Sequence, residues 1–301
     1  MTTFASLVSQ VRQQLLGYSL DQESISELTA DMSPSDTTFT VDVATVTALS
    51  RGLVEIDDEL MLVKSFDRNS GTVSILGATN GRGVDGSTAA SHSAHALVTA
   101  SPAYPRVRVK EAINATIRDL YPDLVCFAST DITNVSVVYE YQMPAEAREV
   151  WGVKLQTVGP TQVWMQGRQW RFDSQADPTA FPSGKSIQIF DSVTPGRAMR
   201  VIYTTEPNPL VNDSDDFAAV SGYPDRVSDV VMWGACARLM PAYDAARLQQ
   251  QAVESTERAT LVPATAALKT ASYYQQQFLS RLERERRRQF EENPTTQTYG
   301  A

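Results

Sequence analysis

Between Phe4 and Leu16 the apolar residues fall at Phe4, Leu7, Val8, Val11, Leu15 and Leu16, the three-and-four spacing of one helix face. Thr2 or Thr3 is placed to cap that helix and Gly17 to end it. From about Ser24 to Ala100 the period drops to two. Thr37–Val43, Leu53–Ile56, Glu59–Val63, Thr72–Leu76 and Leu97–Thr99 read as short strands, with Asp57-Asp58 and Asp67–Gly71 as turns. Strands of this length and spacing predict a small β-barrel or sandwich.

Helical spacing returns over Val107–Tyr121, through Val109, Ala112, Ile113, Thr116, Ile117 and Leu120, and Pro122 stops it. A second β-rich stretch follows, with candidate strands Val135–Tyr141, Val150–Leu155, Gln162–Met165, Trp170–Phe172, Ser186–Phe190 and Met199–Thr204. Prolines 144, 160, 178, 182 and 195 lie between these strands, where a missing N–H does no harm. The last third is helical. Pro224 and Asp225 suit a first turn. Val227–Leu239, with Val230, Val231, Trp233, Ala235, Cys236 and Ala237, reads as a core helix that Pro241 kinks or ends. Tyr243–Arg258 resumes in polar form, and Pro263 marks another break. From Ala264 to Glu292 the positions Leu268, Ala271, Gln275, Phe278 and Leu282 repeat at three and four beneath a run of Glu and Arg.

The expected fold class is α+β: a helical bundle with two inserted β-rich modules, a long C-terminal helix and a flexible tail. The expected segments are 1–20 (N-terminal bundle helix), 21–101 (small β-barrel or sandwich), 102–134 (bundle helix), 135–206 (second β-rich insertion) and 207–292 (C-terminal bundle helices). The tail, 293–301, has no apolar period and is expected to be flexible or bound to a partner. Each helix alone is too weakly apolar to stand free, so the helices pack on one another or on neighbouring copies.

Charge narrows the function. The chain of 301 residues carries a net −9, and residues 1–100 hold most of it, with 5 Lys/Arg against 12 Asp/Glu. Gripping a phosphate backbone needs clustered Lys/Arg, so a DNA-binding regulator is disfavoured; an acidic surface suits a passage through which DNA slides. No window approaches a membrane span, and residues 1–17 lack the features of a secretory signal, predicting an unexported chain with no membrane partner. Cys126 and Cys236 fit reduced cytoplasmic thiols.

Candidate chemistry is sparse. Gly81-Arg82-Gly83-Val84-Asp85-Gly86 matches a dinucleotide pattern by letters, but no long helix follows it, so it reads as a flexible loop. His92 and His95 lack a nearby Cys or carboxylate in sequence and read as a polar turn, and neither Ser87 nor Ser91 sits in a nucleophile elbow. Glu55, Asp57, Asp58 and Glu59 lack calcium-loop spacing and read as solvent-facing turn and strand residues. Arg281, Arg284, Arg286, Arg287 and Arg288 are interleaved with Glu283, Glu285, Glu291 and Glu292, the pattern of a solvated or protein-binding helix rather than a DNA contact. Trp151, Trp164, Trp170, Tyr139 and Tyr141 are spread over strands and read as core. No catalytic, cofactor or metal constellation is expected, and an enzyme such as a virion-carried hydrolase is the weaker reading.

Two segments resemble phage structural proteins. Gly52-Leu53-Val54-Glu55-Ile56-Asp57-Asp58-Glu59-Leu60, followed by Gly83…Gly86-Ser87-Thr88-Ala89-Ala90-Ser91-His92, resembles a small β-module recurrent in tailed phages. Arg108–Asn114, Arg197–Tyr203 and Asp229–Leu239 are similar in order and spacing to head-to-tail adaptor (connector, neck) proteins that sit under the portal. That resemblance implies a structural virion protein at the head–tail junction, assembled in the host cytoplasm, with no enzymatic activity. It implies a ring of about twelve copies that continues the DNA channel for genome ejection without sequence-specific DNA binding. The implied partners are the portal, neck or tail proteins and further copies. Ala264–Ala301 would dock the portal through Phe278, Arg281, Arg284, Arg287, Phe290 and Tyr299, and the β-modules would meet the tail or neighbouring subunits. A tail or fibre accessory protein is the alternative.

Overall fold

The computed structural model describes residues 1–16, 24–43, 49, 51–158, 163–254 and 266–293. It is a mixed helix and sheet protein, of class α+β, whose sheets are antiparallel. Contacts divide the chain into two compact units. One comprises Ala5–Ala115 and Val231–Phe278, the other Met1–Phe4, Thr116–Val230 and the chain from Leu279.

In the first unit, helix α1 (Phe4–Leu16) buries Leu7, Val8 and Val11 completely, while Leu15 and Leu16 are half-buried. Gly17, expected to end α1, lies outside the described residues. Strands β1 (Ser24–Glu27), β2 (Thr38–Thr40), β3 (Gly52–Ile56), β4 (Glu59–Asp67), β5 (Thr72–Ile75) and β6 (Leu97–Ala100) form one sheet in the order β1-β6-β3-β4-β5-β2. The β3–β4 hairpin turns on Asp57-Asp58, with Ile56 opposite Glu59 and Asp57 at φ 52°. Alternation places Val54, Ile56, Met61, Val63, Val73, Ile75 and Val98 in one core with Leu28, Phe39 and Val41. Gly71 is irreplaceable in its turn: it sits at φ 68°, and a Cβ there would lie 2.5 Å from the Val41 carbonyl oxygen. β1 was not foreseen, because Ser-Ile-Ser-Glu offers a single apolar residue to read.

Helix α2 (Arg106–Asp119) buries Val109, Ile113, Thr116 and Ile117. The segment expected to stay helical to 134 instead gives strand β7 (Cys126–Thr133). Its sequence, Cys-Phe-Ala-Ser-Thr-Asp-Ile-Thr, is too weakly apolar to announce a strand alone, and pairing along its whole length with β13 (Ala198–Thr205) supplies what its own pattern lacks. Between them in sequence come β8 (Glu140–Gln142), β9 (Glu149–Gln156), β10 (Trp164–Gln166), β11 (Trp170–Asp173) and β12 (Ser186–Ile189). They build two sheets, ordered β10-β9-β13-β7 and β11-β12-β8. Tyr141, Met143, Val150, Val153, Ile187, Ile189, Met199, Val201 and Tyr203 form their shared core. The strand expected over Val135–Tyr141 is only Glu140–Gln142; Val135–Tyr139 is an exposed loop, which also corrects the core assignment of Tyr139.

Helix α3 (Phe217–Ser221) is capped by Asp216, whose carboxylate accepts from Ala218 N, and ended by Gly222 at φ 84°. A short 3-10 turn, Asp225–Val227, leads into α4 (Ser228–Glu254). The helix runs through Pro241 without ending there, and Val230, Val231, Ala235 and Cys236 are buried in its first half. Pro263 lies outside the described residues. Helix α5 spans Ala266–Glu292. In the first unit, the Tyr274 hydroxyl donates to the Gln14 carbonyl at 3.1 Å, and its ring lies 5.7 Å from that of Trp233. Cys126 and Cys236 are free and buried, and burial pushes both thiols up to about 12.

Candidate functional site

The acidic turn, the glycine-rich segment and the first histidine of the sequence converge on one point in the six-stranded sheet. Glu59 opens β4, directly after the Asp57-Asp58 turn, and its side chain points inward with no exposure. The Arg82 guanidinium, equally buried, grips it in a fork: Nε to Oε1 at 2.6 Å and Nη2 to Oε2 at 2.8 Å. The Gly83 N–H donates to Oε1 at 3.0 Å, the Ala90 N–H to Oε2 at 2.9 Å, and His92 Nε2 lies 2.9 Å from Oε2. The remaining Arg82 donors reach the carbonyls of Ser33, Asp36 and Ala90. His92 Nδ1 meets Asp57 at 2.7 Å.

Two expectations are corrected here. Glu55 and Glu59 are buried rather than solvent-facing, at 3% and 1% exposure, and Gly81–Gly86 is a fixed loop rather than a flexible one. Gly83 at φ 57° lets the backbone turn so that its own N–H faces the carboxylate. His92 is buried, not part of a polar turn; His95 is exposed. Burial opposes ionisation of Glu59, but the hydrogen bonds from Arg82, His92 and the Ala90 amide prevail and hold its carboxyl at about 2. Burial likewise opposes charge on His92, and Glu59 and Asp57 outweigh it, so the imidazole is raised above its ordinary value. A carboxylate already holding four donors is a structural lock. Among the described residues no group of three or more His, Cys, Asp or Glu is arranged to hold a metal.

Glu55 performs a second such task. It accepts from Arg12 Nη1 of α1 at 3.0 Å and from the Arg106 N–H at 2.6 Å, where α2 begins. The other turn carboxylate, Asp58, is opposed by partial burial but held low by Lys110 and Arg106, at 2.6 and 2.9 Å. Arg108 pairs with Asp85 and Glu111 at the surface.

In the second unit, α5 has two distinct faces. Inward, Arg281 pairs with Asp229 at 3.1 Å, buried Glu285 accepts from Arg226 at 2.7 Å and from Arg288 at 2.8 Å, and Gln289 clasps Val125. Its amide accepts from Val125 N at 3.1 Å and donates to Val125 O at 2.7 Å, as a neighbouring strand would. Outward, Leu279 and Phe290 are 52% and 59% exposed, with Glu283 and Arg286 between them.

The residues expected to meet a portal therefore separate. Phe290, Arg284 and Arg287 are exposed, Arg287 pairing with Glu283 at 3.1 Å, while Arg281 is engaged inward. Phe278, on the same helix, is half-buried. Tyr299 lies outside the described residues. Glu285 and Gln289 were not singled out from sequence, although their spacing of four puts them on one helix face. Among the described residues no helix is long and apolar enough to cross a membrane.

No curated protein matches the chain. The family of the SU10 adaptor protein matches residues 88–298, which takes in the second β-rich stretch and α2 to α5 and leaves out most of the first sheet. With the greater part of its length so matched, this chain belongs to the SU10 adaptor protein family, a family of phage head-to-tail adaptors.

Proposed function

We propose that copies of this chain form a ring between portal and tail, continuing the DNA channel, with the C-terminal segment from Ala264 docked on the portal. Family membership makes the chain a structural adaptor of the phage virion, placed at the head–tail junction among portal and tail proteins. The ring, its copy number of about twelve and the docking assignment go further than that. So does the helical bundle, in which α1, α2, α4 and α5 would surround two β-modules.

The observation that carries the docking assignment is the two-faced α5. Its inner side is fixed by Arg281–Asp229, Glu285–Arg226 and Gln289–Val125, while Leu279 and Phe290 are left in water on the outer side. Exposed large apolar residues on a helix pinned from behind are what a protein-binding face requires. Residues 293–301 would extend that contact. A net charge of −9 supports passage of DNA without adhesion.

Portal binding by the wild type, by Leu279→Asp/Phe290→Asp and by a chain ending at Glu292 tests the assignment. Loss of binding in folded variants is the expected result; unchanged binding sinks it.

A further inference from the structure

The apolar residues that the second β-rich stretch leaves in solvent gather in one loop. Val135, Val137, Val138 and Tyr139 are 54, 88, 41 and 67% exposed. The loop is firmly held nonetheless. Beneath it the Tyr141 hydroxyl accepts from Val135 N at 3.2 Å and lies 2.7 Å from Asn134 Oδ1 and 2.8 Å from the Val138 carbonyl. Asn134 is itself anchored: its side chain donates to the Val193 carbonyl at 2.7 Å, and its N–H to Arg197 at 2.8 Å. Val137 is fixed at φ 67°, a conformation β-branched residues avoid. A greasy protrusion held in one shape is preorganised for a partner, since little ordering entropy is left to lose on binding.

A matching cavity lies in the same unit. A cleft of about 500 Å³ is floored by Leu155, Val158, Met165 and Val193, with Arg168 and Asp191 supplying opposite charges. That volume lies in the range that accommodates a few side chains. Strand register shows where loop and cleft stand. β12 is flanked by β8 and β11, and both edge strands begin beside its C-terminal end, with Glu140 opposite Gln188 and Trp170 opposite Ile189. The loop feeds β8, and the cleft residues Met165–Arg168 feed β11. Ile189 N donates to Tyr139 O on one side at 2.9 Å, and Phe190 N to Gln169 O on the other at 2.8 Å. Protrusion and cleft therefore flank the sheet on opposite edges, at the same end.

We propose that loop 135–139 of one copy docks into this cleft of the next copy, head to tail, and that this contact joins neighbours in the ring. The inference rests on the ring reading above and names its interface. Two features of the chain select a second copy as the occupant. Complementary shapes on opposite edges of one unit generate a heterologous contact, the kind that closes into rings. Charge agrees: residues 135–206 hold 7 Lys/Arg and 7 Asp/Glu in a chain of net −9, so this stretch meets its like without the repulsion the rest would feel.

The test is a disulfide ladder. The full chain carrying Val137→Cys and Met165→Cys is assembled with its portal under reducing conditions, weighed by native mass spectrometry, then oxidised and run on a non-reducing gel. We expect ring-mass assemblies, a ladder of dimers, trimers and higher multimers from the double variant, and monomer alone from either single variant. Val137→Asp should lower ring yield at least about tenfold while its circular dichroism stays unchanged. Normal rings from Val137→Asp with no ladder from the double variant overturn the docking contact and leave the ring standing. A Val137→Cys single variant that cross-links to dimers shows two-fold pairing and also overturns it. A wild type that forms no ring on its portal overturns the ring reading and this contact together.

Discussion

Glu59 and Arg82, twenty-three residues apart, meet as a fully buried forked ion pair at 2.6 and 2.8 Å. The pair fastens the loop of residues 82–92 to the start of β4. Removing one partner leaves a charge with nothing to offset its desolvation, so Arg82→Met should cost about 3–5 kcal/mol. Urea unfolding measures this. A Glu59→Leu/Arg82→Met double variant should lose less than the sum of the two single changes.

Acid should attack the same point. With its folded carboxyl at about 2 against an ordinary 4.5, Glu59 gives stability that is complete above pH 4.5 and is lost as pH falls through the folded value. The shift corresponds to about 3 kcal/mol. His92 works in the opposite sense: its raised value gives stability that is complete below 6.5 and is lost as pH rises through the folded value. Unfolding free energy followed from about pH 6 to about pH 3 should fall less steeply in Glu59→Gln than in the wild type. His92→Gln should flatten the alkaline limb.

Gln289→Ala removes both hydrogen bonds to the Val125 backbone. The expected loss is about 1–3 kcal/mol, since the Val125 groups lose their partner. Hydrogen exchange of the Val125 amide should speed up, while amides of the six-stranded sheet should keep their protection.

Val137→Asn should stabilise the isolated chain by about 1 kcal/mol, because asparagine tolerates the left-handed conformation that valine resists. Assembly should weaken in the same variant. Thermal melting of the monomer and ring yield, read side by side, would then move in opposite directions.

The sequence made some of this plain. The stripe Leu7, Val8, Val11 foretold the buried face of α1, and Asp57-Asp58 between two apolar runs foretold the β3–β4 hairpin. It was silent where partners decide. β7 has no strong alternation and becomes a strand by pairing with β13. Glu55 and Glu59 sit among other acids, and composition sends such residues to water. Only their cations, Arg12 and Arg82, bring them inside, and those lie 43 and 23 residues away. A lone arginine between two glycines, followed by a histidine, was the available hint, because five guanidinium donors can satisfy a buried carboxylate and nearby carbonyls together. Val135–Tyr139 misled in the other direction: its β-branched run reads as a strand, yet the Tyr141 hydroxyl takes up backbone groups that a ladder would have used.

The most direct test of the account is electron microscopy of the protein mixed with its portal. The expected image is a ring seated coaxially on the portal, with α5 against it and Phe290 in the contact. Bare portals beside unassembled protein, or a complex in which α5 faces away from the portal, would contradict the account.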